Sequence, residues 1–200
     1  MSKSVLRLES LFRTYRSGDH NLEILKGVEL DLVAGEIVGL VGPSGSGKSS
    51  LLHAAGLLEA PTSGKVIIEG VDCSRLADRQ RTRVRLDTIG FVYQAHHLLP
   101  EFSALENVAI PQMIAGVGGR PARQRAVELL SELGLDDRVH HLPAQLSGGE
   151  QQRVLIARAL AVDAEILLMD EPLSNLDPPH QADCLHLIRS LVDQGKTVVT

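Results

Sequence analysis

Tryptophan is absent from these 200 residues, and the only other large rings are two tyrosines and three phenylalanines. A core so poor in rings has to be aliphatic, which suits a sheet lined by Val, Ile and Leu. Cysteine is nearly absent too. Cys73 and Cys184 lie far apart and form no C-x-x-C, so neither a disulfide framework nor a zinc site is implied, and two reduced cytoplasmic thiols are expected. No run of eighteen apolar residues occurs, and the opening MSKSVLRLES has no apolar centre for a signal peptide. A membrane, if one matters, would be met through a partner. Basic charge is in short supply: 20 Lys and Arg against 25 Asp and Glu give −5, which argues against a nucleic-acid groove.

What is present reads as one soluble α/β domain with room for an inserted sub-domain. SVLRLES and LEILKGVELDLVAGE alternate apolar and polar residues and predict half-exposed antiparallel strands. EIVGLVG (Glu36 to Gly42) is a short apolar run ending in Gly and predicts a buried parallel strand. SSLLHAAGLLEA predicts a helix stopped by Pro61, and KVIIEG and DTIGFVYQ predict strands. From Ser103 to about Leu146 the pattern is helical. Ala122, Ala126, Leu129, Leu130 and Leu133 share one face of a helix opened by Pro121 and closed by Gly134. A helix EQQRVLIARALA, a strand EILLMD, a helix HQADCLHLIRSLVDQG and a strand KTVVT complete the order. Strand and helix in repetition predict a mainly parallel sheet covered on both faces.

GPSGSGKS, Gly42 to Ser49, fits G-x-x-x-x-G-K-[ST] between a strand and a helix. Gly42, Gly45 and Gly47 let backbone N–H groups curl around a polyphosphate, with Pro43, Ser44, Ser46 and Ser50 completing the loop. The following helix turns its positive end to the same point. Lys48 reaches the β and γ phosphates, and the Ser49 hydroxyl offers Mg²⁺ a hard oxygen. In EILLMDEP, Asp170 emerges at the carboxyl end of a buried strand, placed to hold Mg²⁺ opposite Ser49. Glu171 leaves in another direction, placed to take a proton from a water attacking the γ-phosphate. LSGGEQQR, Leu146 to Arg153, sets Ser147, Gly148 and Gly149 at another helix start: a second anion site far from the first.

The ordered set GPSGSGKS, Gln94 in FVYQ, LSGGEQ, ILLMDEP and SNLD (Ser174 to Asp177) resembles the nucleotide-binding subunit of ABC transporters over essentially the whole chain. The resemblance implies a P-loop NTPase (RecA-like) parallel-sheet core with an N-terminal antiparallel β part and an inserted helical subdomain. Residues 1–95 and 148–200 would form the catalytic core and 96–147 the helical insertion. It implies ATP and Mg²⁺ as cofactors and a head-to-tail pair of chains, each contributing Ser147, Gly148 and Gly149 to the γ-phosphate held by its partner. By the same resemblance Tyr15 stacks on adenine, Gln94 senses Mg²⁺ and the attacking water, and Asp177 bridges the dimer. Glu171, Lys48 and Gln94 would be the catalytic set, and Ser49, Gln94 and Asp170 the metal set.

Leu98, Leu99, Pro100 and Phe102 form an apolar loop after the Gln94 strand. It is read either as a docking surface or as a loop tucked against the helical insertion. In this family a membrane subunit inserts a short helix there, so transporter subunits are expected to dock near Gln94 to Phe102. The adjacent pair His96–His97 is not read as a metal site, because adjacent histidines rarely point at one ion without acidic or thiol company, and His140–His141 is read as a solvated helix-end feature. HHLLPEFSALENVAIPQMIAG resembles the lipoprotein-releasing branch of the family, whereas EPLSNLDPPHQAD is closer to importer ATPases. The expected role is therefore an ATPase at the cytoplasmic face of the bacterial inner membrane, driving lipoprotein release. Small-solute import, an ATP-binding fragment with little hydrolysis, and a soluble family member acting on nucleic acid or ribosomes are the alternatives. The family pattern runs past a strand like KTVVT to a His that contacts the γ-phosphate. With Thr200 as the last residue, a truncated form that binds ATP and hydrolyses it poorly is expected.

Overall fold

The computed structural model describes residues 3–17, 20–93, 98–174 and 176–200. Two long strands, β1 (Ser4–Ser17) and β2 (His20–Val33), pair antiparallel. They are joined in one sheet by β4 (Ser63–Ile68) and β5 (Val71–Asp72), in the order β2-β1-β4-β5. The second sheet is parallel, with the order β3-β8-β7-β6: β3 (Ile37–Val38), β8 (Thr197–Val199), β7 (Ile166–Met169) and β6 (Ile89–Val92). Both predicted sheet types are present.

All four residues of β7 are buried, and they serve two different cores in alternation. Leu167 and Met169 pack with the helical segments, while Ile166 and Leu168 pack with the antiparallel sheet and the first helix. This is the period-2 geometry of a strand covered on both faces. Each such side chain contributes about 1.5–3 kcal/mol of burial. The first helix, α1 (Lys48–Ala55), lies in the second of these cores through Leu52, Ala54 and Ala55. It ends earlier than SSLLHAAGLLEA suggests. At Gly56 the chain passes so close to the parallel sheet that a Cβ would sit 1.9 Å from Phe91 Cζ and 2.9 Å from Leu168 Cδ1.

The expected buried strand Glu36 to Gly42 is a correction. Only Ile37 and Val38 are strand, at the edge of the sheet and paired with Val198 and Val199 alone. Leu40 N–H still bonds the Thr200 carbonyl (2.5 Å), and Val41 is exposed. Apolar composition marks the run as sheet, whereas the ladder to β8 takes in only Ile37 and Val38.

The helical region consists of α3 (Ala104–Ile114), α4 (Gly119–Glu132) and two short 3₁₀ turns, Asp136–Arg138 and Pro143–Gln145. Ser103 and Glu106 form a reciprocal cap at the start of α3. Helix α4 begins two residues before Pro121, which occupies its first turn. Ala122, Ala126, Leu129 and Leu130 are buried as their spacing predicts, and Gly134 follows the end at φ +68°. Helices α5 (Gly148–Leu160) and α6 (Pro178–Asp193) flank β7 in sequence. A further helix, α2 (Asp78–Thr88), was not anticipated: DRQRTRVRLDT has no apolar period, and none of its residues is buried.

Candidate functional site

The phosphate-loop residues run from the edge strand β3 into α1. Gly47 takes φ +94° at the start of the helix, and Gly45 takes φ +79° in the turn before it. A side chain at Gly47 would also collide with Ile24 of β2 (2.9 Å), so the loop lies hard against the antiparallel sheet. Lys48 Nζ donates to the carbonyl oxygens of Gly42 (2.9 Å) and Pro43 (3.3 Å), which holds the ammonium inside the loop. A cavity of about 330 Å³ opens here, lined by Ile24, Ser44, Gly45, Gly47–Ser50 and Glu171. Ser49 and Ser50 thus join the glycines around one space. Among the described residues, Gly42, Pro43 and Ser46 shape the loop from outside that lining: Ser46 N–H closes a turn onto the Pro43 carbonyl at 3.2 Å.

The acidic pair arrives from the other side. Asp170 follows β7 directly, its N–H bonded to the Val92 carbonyl at 2.9 Å. Glu171 adopts φ +47°, a left-handed conformation that costs a non-glycine residue about 1–2 kcal/mol. Ser174 braces the turn by donating its N–H (3.1 Å) and hydroxyl (3.0 Å) to the Glu171 carbonyl. Glu171 Oε1 lies 3.6 Å from Lys48 Nζ. Asp170 lines a second cavity of about 250 Å³, and Lys48 and Glu171 border both spaces. Ser49 therefore lines one of these spaces and Asp170 the other. Gln94 and the pair His96–His97 fall outside the described residues.

Ser147 caps α5: its hydroxyl oxygen accepts the Glu150 N–H (3.3 Å), and its own N–H donates to the Glu150 carboxylate (2.7 Å). That carboxylate also accepts Arg138 Nε at 2.8 Å. The Ser147 backbone donor first, then Arg138, hold Glu150 down from 4.5 to about 2. Part of the donor set expected to meet an anion is thus used internally at Ser147. The N–H groups of Gly148 and Gly149 still belong to a first helical turn, where no intrahelical acceptor exists. Asp177 stands before α6 and pairs with His180, which holds its carboxyl below the usual range. The same imidazole packs against Gly149, joining the SNLD and LSGGE segments. Neither cavity bordered by Lys48 has a wall from residues 147–149.

Tyr15 of β1 pairs in register with Leu22, two residues from the Ile24 that lines the phosphate-loop cavity, so Tyr15 belongs to the same end of the antiparallel sheet. Its hydroxyl donates to Glu59, and Arg13 covers its ring at 4.5 Å. Neither partner carries a local sequence signal; only the fold brings β1 and the end of α1 together. The predicted apolar loop divides. Leu98 is buried in the helical core, while Leu99 and Phe102 stay exposed on a loop pinned by Asn107, which bonds the Leu99 N–H and the carbonyls of Leu99, Phe102 and Ser103. At the other end of α3, Ile114 is 70% exposed beside a groove of about 280 Å³ that Phe91, Tyr93 and Pro111 also line. Both cysteines are buried and neither is in a disulfide, and burial pushes the Cys184 thiol up to about 11. Among the described residues, no helix is long and apolar enough to cross a membrane.

The ABC transporter family profile matches residues 25–174. The lipoprotein-releasing system ATP-binding protein LolD 2 of Caulobacter vibrioides is 64% identical over 178 residues, covering 89% of this chain and 78% of its own. LolD of Paramagnetospirillum magneticum is 56% identical over 197 residues, covering 98% and 87%. A dimeric, post-hydrolysis structure of the ATP-binding cassette MJ0796 bound to ADP and Pi superposes with a TM-score of 0.90 at 41% identity, covering 97% of this chain and 86% of that one. With the ordered motifs, the two-sheet fold and these likenesses in agreement, the chain belongs to the ABC transporter ATP-binding family.

Proposed function

We propose that the chain is the ATP-hydrolysing subunit of a lipoprotein-releasing transporter, working as a head-to-tail pair at the cytoplasmic face of an inner membrane. Residues 1–95 and 148–200 act as the catalytic core and 96–147 as the helical subdomain. The observation that carries the paired site is the separation of the two anion-binding helix starts: Lys48 and Glu171 share a cavity to which Ser147–Gly149 contribute nothing. A second chain related by a two-fold axis supplies the missing face to both sites at once.

Within each site the loop from Gly42 to Ser50 holds the phosphate chain, Lys48 neutralises it, and Tyr15 carries the adenine. Ser49 and Asp170, two hard oxygen donors, suit Mg²⁺, which keeps several waters and takes its remaining ligands from phosphates. When bound, Mg²⁺ would supply charge neutralisation of the phosphate oxygens. Glu171, aimed at the loop by its left-handed backbone and its contact with Lys48, takes the proton of the attacking water. The exposed residues Leu99, Phe102 and Ile114 offer the membrane subunits an apolar docking surface.

The test is Glu171→Gln in the full-length protein. Turnover should fall by about 10²–10⁴, the range for loss of a general base, and light scattering in saturating ATP should detect a dimer. A monomer under those conditions refutes the paired site.

A further inference from the structure

Glu59 lies in the turn after α1, outside every recognised motif, yet its carboxylate gathers three side chains. Oε2 accepts the Tyr15 hydroxyl and lies 3.1 Å from Arg13 Nη2, while Oε1 faces His53 Nδ1 at 3.6 Å. Arg13 is itself anchored, donating from Nη1 to the Ala60 carbonyl at 2.7 Å, and its guanidinium carbon stands 4.5 Å over the Tyr15 ring. Arg13 and Tyr15 are two residues apart in one strand, so they project from the same face toward Glu59. The ring is therefore held at two points: its edge by a charge-assisted hydrogen bond and one face by a cation. An aromatic already fixed loses little freedom when a base stacks on it, so orientation by Glu59 is converted into affinity.

We propose that Glu59 is the positioning residue of the base site: together with Arg13 it fixes Tyr15 so that the ring face opposite the guanidinium meets a purine. This rests on the reading of Tyr15 as the adenine platform. His53, on the other carboxylate oxygen, sits edge-on to Tyr93 with ring centroids 6.5 Å apart, and Tyr93 stacks on Phe91 at 5.4 Å. The clamp is therefore backed by side chains of α1 and β6.

Titration calorimetry on the full-length protein with two probes tests this: ATP, and tripolyphosphate, which has the phosphates and no base. Glu59→Gln should weaken ATP about tenfold, the scale of one hydrogen bond to a charged group, and leave tripolyphosphate unchanged. Tyr15→Phe keeps the ring and removes the hydroxyl, so it should weaken ATP in the same direction. The double variant should lose little more than Glu59→Gln, because both changes act on the same Tyr15–Glu59 contact. Should Glu59→Gln fold poorly, Tyr15→Phe carries the comparison by itself. Unchanged ATP affinity in both variants overturns the proposal, and so does an equal loss for ATP and tripolyphosphate, which would make Glu59 a general structural residue. Lys48→Ala separates the two readings: if that variant binds tripolyphosphate like the parent, the phosphate-loop assignment fails whatever Glu59 does.

Discussion

The imidazole of His180 rests against Gly149 so closely that a methyl group there would meet its Cδ2 at 2.6 Å. Swinging the ring away would break its contact with Asp177. Two segments separated by β7 are thereby fitted to each other within one chain. Gly149→Ala would gain helix propensity worth about 1 kcal/mol, yet overpacking against a held ring costs about 1–3 kcal/mol. The expected net result is a lower melting temperature and a weaker ATP-dependent dimer. Adding His180→Ala should restore part of both; no recovery in the double variant would contradict the steric account.

Glu150 ties the same helix start to Arg138. Its pKa falls from 4.5 to about 2 on folding, so the unfolded chain takes up the proton first as pH drops. The stabilisation is whole above about 4.5 and drains away between there and about 2. Glu150→Ala should cost about 1 kcal/mol at pH 7, the scale of a lost cap. In urea melts the gap from the parent should narrow between pH 5 and pH 3, and a constant gap would count against it.

Gly56 is demanded by proximity alone, since its φ of −84° suits any residue. Gly56→Ala should destabilise by about 1–3 kcal/mol, because Phe91 and Leu168 fill the space a methyl would need. Combining it with Phe91→Leu should recover part of the loss in thermal melts; additive losses would show that the close approach is not the cause.

The exposed apolar residues at the two ends of α3 can be separated from the nucleotide site. Phe102→Asp and Ile114→Asp should reduce copurification of membrane subunits while leaving ATP affinity within twofold or so, since neither residue lines a cavity bordered by Lys48. Undiminished copurification would move the docking surface elsewhere.

Much of the site was legible because its chemistry is local. Lys48 and Ser49 follow from one loop, Asp170 and Glu171 from the end of one strand, and Ser147 from one cap. Neighbours in space are another matter. Glu36 to Gly42 reads as an interior strand, yet only Ile37 and Val38 are strand, at the edge of the parallel sheet. Helix α2 is illegible because DRQRTRVRLDT has no apolar period, and only Val84 leans on the core. Glu59, Arg13 and His180 gain their roles from segments brought together only by folding. The apolar loop at Leu98 to Phe102 held both of its readings in one stretch, with Leu98 turned inward and its neighbour Leu99 outward.

Because β7 divides its side chains between two separate interiors and then delivers Asp170, that carboxylate is aligned by both compartments at once. A volume change at Ile166 or Leu168 tilts it from one side, and one at Leu167 or Met169 from the other. Compensating substitutions for a defect on one side of this partition should therefore be recoverable from residues on the opposite side, which never touch the altered position.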